Sequence, residues 1–284
     1  MHAYDRRVLL WNLQERDALL QSVIERAGYE DLVAEQQDEK QEQPLAPLPK
    51  AISHFDLDRL HDRPVQAALV ETLLVPRGDE RFTSCVLVHG MGGTGKTVTA
   101  VAVLQETEIR RWFCEIYWLT VGADAVGERI KQLAAVLYKQ LSGKSMKEEG
   151  QDEHERQAML VAAMADKQRA LVVLDDPWMP EQVRFLNPID GSHTEHRLLA
   201  TTRIRDLVPK ATRVELPLMS KDEAVVLLLE LANVEQTSYR KDHPNAAWPP
   251  EAAHDIAAEC GLLPITITIA AQVVRSWGRG WEGG

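Results

Sequence analysis

The sequence predicts an α/β fold, with a mostly parallel sheet covered by helices on both faces and a small all-helical subdomain after it. Three observations predict this. Between residues 62 and 217, short apolar runs that read as strands alternate with stretches of helical spacing. One of the strands runs into a glycine-rich turn that opens a helix, "VLVHGMGGTGKTVTA" at 86–100. After residue 218 the strand signals stop and only helical periodicity remains.

Taken in order, residues 8–24 place Leu9, Leu10, Leu13, Leu20, Val23 and Ile24 at near-helical spacing between charged residues. This amphipathic helix has three readings: it packs on its own domain, it binds a partner, or it ends an upstream domain. "YEDLVAEQQDEKQEQPLAPLPK" then changes from acidic and Gln-rich to proline-bearing, which suits a solvated linker, so residues 1–50 are set apart as helix and linker.

Residues 51–218 form the alternating domain. "DRPVQAALVETLL" (62–74) reads as a helix, "TSCVLVH" as a buried strand, 97–105 as a helix and "EIYWLTV" (115–121) as a strand. Residues 128–141 put Ile130, Leu133, Ala134, Leu137 and Leu141 on one helix face. "ALVVLDD" (170–176), "RLLATT" (197–202) and "TRVELP" (212–217) are three more strands bounded by turns. In 219–284, "SKDEAVVLLLELA" opens with Ser220 and Glu223 at capping-box spacing, and helices follow near 250–260 and 264–275.

Composition narrows the classes. With 45% hydrophobic and 26% charged residues the chain is an ordinary globular protein, and 284 residues give ample length for a core. Against 32 Lys and Arg stand 43 Asp and Glu, a net charge of −11, which disfavours nucleic acid as the main partner. Cys85, Cys114 and Cys260 lie far apart without metal-ligand spacing and suit a reducing compartment. "MHAYDRRVLLWNLQERD" holds no uninterrupted apolar stretch long enough for a signal peptide, and "GLLPITITIAAQVV" is too short to span a bilayer as a helix. A soluble, cytoplasmic protein with no membrane partner is expected.

The segment Gly90-Met91-Gly92-Gly93-Thr94-Gly95-Lys96-Thr97 satisfies G-x-x-x-x-G-K-[ST], with a strand before it and a helix after it. Glycines let backbone N–H groups converge on phosphate oxygens without Cβ collisions, and the helix directs its positive end at the same anion. Lys96 is placed to reach the β- and γ-phosphates, and Thr97 to ligate Mg²⁺. Together with Val98 these residues are the candidate phosphate-binding set, and the fold becomes a three-layer P-loop NTPase. Leu171 to Leu174 deliver Asp175 and Asp176 to the C-terminal edge of the sheet. Asp175 is the second expected Mg²⁺ holder, and Asp176 the residue expected to orient or polarise an attacking water. "LLATTRIRDL" brings Thr201, Thr202 and Arg203 to the same edge, where Arg203 either touches a γ-phosphate or is an ordinary surface arginine.

In this order and spacing, "GMGGTGKT", "LVVLDDPW", "LLATTR" and "CGLLPITI" resemble the NB-ARC module of plant disease-resistance proteins and of the apoptotic protease-activating factor, within the STAND class of signalling ATPases. "IYWLTVGAD" and "VELPLMSKDEAVVLLLELA" are similar to its second-strand motif and its hinge, so the resemblance covers roughly residues 55–275. It implies a five-stranded parallel sheet, bound ADP or ATP with Mg²⁺, and Arg203 as a γ-phosphate sensor. It also implies that Gly261 and Pro264 belong to a motif whose proline packs on the adenine; the plainer alternative is a helix-starting proline. In "LHDRPVQ", Arg63 or the backbone beside it is implied to contact the base, an exposed arginine being the alternative.

The chain departs from the family in stopping at Gly284 without the winged-helix domain and its Met-His-Asp motif, so "RSWGRGWEGG" reads as a truncation point or ragged end. No repeat array follows, and no recognisable death or TIR domain precedes. The resemblance implies a molecular switch with weak ATPase activity, and protein partners or self-association through regions absent here. Two alternatives remain: a turnover ATPase such as a motor or transporter subunit, and a non-hydrolysing scaffold. "LSGKSM" (141–146) is only faintly similar to a transporter signature, and the absence of an Asn-Lys-x-Asp motif disfavours a GTPase.

Overall fold

The computed structural model describes residues 44–55, 63–146, 152–189 and 195–276. The helix expected over 8–24 and most of the linker lie outside these residues. The chain divides into two compact units, Met1–Pro44 and Leu45–Gly284, and the description below concerns the second.

Five strands, β1 (Cys85–His89), β2 (Glu115–Thr120), β3 (Ala170–Asp175), β4 (Arg197–Thr202) and β5 (Thr212–Glu215), form one sheet in the order β2-β3-β4-β1-β5. Every pairing is parallel, as the alternation of strands and helices predicts. The register sets the C-terminal ends in one row. Thr120 faces Asp175, Asp175 faces Thr201, and His89 lies between Thr202 and Glu215. The chain reverses its direction of travel across the sheet at β1, so this edge is a topological switch point, where α/β sheets place their ligands.

Ten α-helices occur among the described residues: α1 (Pro64–Leu74), α2 (Lys96–Gln105), α3 (Thr107–Trp112), α4 (Glu128–Ser142), α5 (Glu153–Ala165), α6 (Pro180–Leu186), α7 (Lys221–Leu231), α8 (Gln236–Asp242), α9 (Glu251–Glu259) and α10 (Pro264–Ser276). The helix face expected over 128–141 is the buried face of α4. The capping box opening α7 forms as expected, with the Glu223 N–H donating to Ser220 Oγ and the Ser220 N–H to the Glu223 carboxylate. Helices α3, α5, α6 and α8 were not expected from periodicity. Helix α5 has a start signal of its own, because Asp152 Oδ1 accepts from the Glu155 N–H at 2.8 Å.

Strand residues alternate between the two sheet faces. Val86, Val88, Leu171, Val173 and Leu199 join Leu69, Leu73, Val101 and Leu104 of α1 and α2 in one apolar cluster. Leu87, Val172, Leu174, Leu198 and Ala200 join Leu133, Leu137, Leu160 and Leu186 of α4, α5 and α6 in the other. A third cluster, with Val225, Leu228, Ala253, Ala257 and Ile267, lies among α7, α9 and α10.

Among the described residues, one charged side chain is fully buried in this framework. Arg197, the first residue of β4, donates to the carbonyls of Glu195, His196 and Val75, and its guanidinium sits 4.1 Å from the Phe82 ring centroid. Burial lowers its pKa to about 10. Arg197→Ala removes the donor that ties the end of α1 to the sheet and leaves buried carbonyls unpaired. A loss of roughly 3 kcal/mol is expected, read as a lower urea midpoint at unchanged slope.

Candidate functional site

The loop from Gly90 to Gly95 joins β1 to α2, with Lys96 the first helical residue. Two positions accept only glycine. A Cβ on Gly90 would lie 2.5 Å from the Leu216 carbonyl oxygen, and one on Gly93, whose φ is +84°, would lie 2.6 Å from Ile265 Cγ2. Lys96 is buried and folds back on the loop, its Nζ donating to the carbonyls of Gly90 at 2.9 Å and Met91 at 2.6 Å. The buried Thr94 hydroxyl also donates to the Met91 carbonyl, whereas the side chains of Met91 and Val98 are exposed.

Across from the loop, β3 ends in Asp175, and Asp176 follows it. Oδ1 of Asp175 accepts from Thr97 at 2.8 Å and from Thr201 at 2.6 Å. Burial pushes the Asp175 pKa up against the pull of these two hydrogen bonds. Burial likewise lowers the Lys96 pKa, with the Arg203 charge adding to the shift and Asp176 and Asp175 opposing it. Both groups thus gain from a ligand of opposite charge, the lysine from an anion and the carboxylate from a cation. The Thr97 hydroxyl and the Asp175 carboxylate are hard oxygen donors beside the phosphate loop. No group of three or more His, Cys, Asp or Glu residues that could cage a metal occurs among the described residues. Two oxygens of this kind fit Mg²⁺, which takes few protein ligands and completes its shell with water and phosphate.

Asp176 takes the left-handed conformation at φ +57°, its N–H held by the carbonyl and hydroxyl of Thr201. The turn brings Trp178 back, and its indole Nε1–H donates to Asp176 Oδ2 at 3.1 Å. Arg203 is exposed and lies near the loop: a Cβ on Gly92 would be 3.0 Å from its Nη1. Its guanidinium carbon is also 5.0 Å from the Trp178 ring centroid.

Arg63 and Pro264 take more definite places than the sequence could assign. Arg63 is buried, not exposed, and braces the backbone. One guanidinium nitrogen donates to the Thr94 carbonyl at 3.0 Å and the other to the Pro217 carbonyl at 3.0 Å. Pro264 opens α10, the ordinary role of such a proline, and its Cγ would lie 3.8 Å from a Cβ on Gly95. Gly261 sits in the preceding turn at φ +64°.

Three residues of this arrangement escaped sequence reasoning: Trp178, Gln182 and Ile265. Gln182 is buried; its Oε1 accepts from the N–H groups of Trp178 and Met179, and its Nε2 donates to the carbonyls of Gly122 and Ala125. Its one sequence signal is its place two residues after Pro180, at the third position of α6.

The NB-ARC domain family model matches residues 65–238. Regulatory protein AfsR of Streptomyces griseus is 31% identical over 195 residues, 67% of this chain and 18% of that protein. Disease resistance protein ADR1 of Arabidopsis thaliana is 27% identical over 209 residues, 72% of this chain and 22% of that protein. Apoptotic protease-activating factor 1 of Danio rerio is 24% identical over 208 residues, 69% and 15% respectively. The chain therefore spans less than a quarter of each of these relatives. Among solved structures, a STAND protein with a tetratricopeptide repeat sensor from Pyrococcus horikoshii aligns over 82% of this chain and 32% of its own, with a TM-score of 0.47 at 16% identity. The family model covers more than half of the residues, on a five-stranded parallel sheet with its phosphate loop in place, and the chain belongs to the NB-ARC domain family of P-loop ATPases.

Proposed function

We propose that the chain is an adenine-nucleotide switch. ADP held between the phosphate loop and the helical region would favour a closed arrangement, exchange for ATP would release it, and slow Mg²⁺-dependent hydrolysis would reset it. The observation that carries this reading is the seat of α10 on the loop. The Ile265 N–H donates to the Gly93 carbonyl at 3.4 Å, and the Ile265 side chain fills the space that a Cβ on Gly93 would need. A ligand bound at the loop is then felt directly by the helical region.

In this reading Lys96 leaves the carbonyls of Gly90 and Met91 to meet the β- and γ-phosphates, and the backbone of Gly90 to Val98 cradles the phosphate chain. Thr97 and Asp175 would hold Mg²⁺, whose role when bound is to neutralise charge on the phosphates. Asp176 orients the attacking water, and Arg203 reads whether a third phosphate is present. Arg63 supports the base side through the backbone it braces, with Pro264 against the adenine. Signalling through protein partners or self-association would use regions beyond the described residues. We place the protein in the cytoplasm: its three cysteines are unpaired, and no described helix is long and apolar enough to cross a membrane.

Three outcomes are expected. Protein purified and then denatured should release stoichiometric ADP, lost in Lys96→Ala; an empty site with rapid turnover would sink the switch reading. Asp176→Ala should lower steady-state ATP hydrolysis on the order of a hundredfold while ADP is retained, and chelating Mg²⁺ should likewise stop hydrolysis. Ile265→Ala removes about 1 kcal/mol of contact with the loop, so a fluorescent ADP analogue should dissociate roughly fivefold faster in stopped-flow measurements.

A further inference from the structure

A single aromatic ring stands between the acid at the end of β3 and the arginine beyond β4. The edge of Trp178 donates its Nε1–H to Asp176 Oδ2, and its face carries the Arg203 guanidinium. The ring is half-buried and belongs to none of the three apolar clusters, so core packing does not account for it. Its backbone, by contrast, is tightly held. Gln182 Oε1 accepts from the Trp178 N–H at 2.7 Å, and Thr202 Oγ1 donates to the Pro177 carbonyl at 2.7 Å. Asp176 and Arg203 carry opposite charges at the same sheet edge, yet they form no ion pair among the described residues.

We propose that Trp178 is a positioning residue that orients the Asp176 carboxylate through its indole N–H and keeps Arg203 beside Gly92 by stacking, preventing the acid and the arginine from pairing with each other. A direct pair would cost the site two functions at once. The carboxylate would lose its free lone pairs for water, and the guanidinium would be neutralised and drawn away from the loop. One side chain thus couples hydrolysis to phosphate discrimination, and the hydrogen bonds of Gln182 set its place. The assignment rests on the switch reading above, because it requires Asp176 to serve hydrolysis and Arg203 to read the third phosphate.

The test uses the full chain, with two readouts: steady-state ATP hydrolysis, and the ratio of affinities for a non-hydrolysable ATP analogue and ADP by titration calorimetry. Trp178→Phe keeps the ring face and loses the N–H. It should lower kcat about tenfold with KM and the affinity ratio nearly unchanged. Trp178→Leu loses both contacts and should also shift the affinity ratio roughly tenfold toward ADP. In Trp178→Leu with Asp176→Asn, Arg203 has no acid to pair with, and the ratio should return toward that of the unsubstituted protein while hydrolysis stays low. A general structural defect would not be rescued by a second substitution. An unchanged ratio in Trp178→Leu, or no recovery in the double variant, overturns the proposal. Should Trp178→Leu not fold, an unchanged kcat in Trp178→Phe overturns it instead. If the unsubstituted protein itself binds neither nucleotide, the switch reading falls and the assignment with it; if it binds and discriminates but the variants behave as above against expectation, only the assignment falls.

Discussion

Oδ1 of Asp175 holds the site together. It accepts from Thr97 at the start of α2 and from Thr201 on β4, so one buried oxygen ties β3, β4 and the helix that follows the phosphate loop. A carboxylate in this position is costly unless hydrogen-bonded, and the two hydroxyls meet that demand. The register of β3 and β4 makes the arrangement possible, because Asp175 and Thr201 are direct partners across the ladder. The N–H of the next residue, Asp176, bonds Thr201 as well, so the same threonine aligns both acids. The placement of the loop therefore follows from the sheet rather than from the loop's own sequence.

Residues distant along the chain close in on the loop. The Leu216 carbonyl presses on Gly90, Ile265 covers Gly93, and Arg63 binds the carbonyls of Thr94 and Pro217 together. Burial disfavours the Arg63 charge, and the Glu223 carboxylate of α7 opposes that shift. A displacement of α10 therefore changes contacts made by the loop itself. This is the physical form that coupling between a phosphate site and a helical region can take.

Much of the fold was legible because its signals are local. The continuous apolar runs at 85–89 and 170–175 and the helical face from Ile130 to Leu141 each lie within one element. Helix α6 escaped because seven residues are too few to show a period. Helix α5 escaped because its buried positions, Arg156, Leu160 and Met164, include a charged residue. At the site, Lys96, Thr97, Asp175 and Asp176 were legible from motif chemistry. For Arg63 the sequence left contact with the base and plain exposure open, and the buried guanidinium is neither an exposed group nor, in its own hydrogen bonds, more than a backbone brace.

By itself the sequence determined the succession of the five strands and of six of the helices, the phosphate loop and the acids that oppose it. Glycine spacing, strand alternation and capping residues act over a few neighbouring positions and need no distant partner. Only the tertiary structure decided what surrounds the loop. Arg63 meets Pro217 across 154 residues of chain, Ile265 covers Gly93 from the far end of the fold, and Trp178 meets Arg203 only because β3 and β4 pair in one register. Such contacts are set by the closing of the chain on itself, and no local period or motif records them.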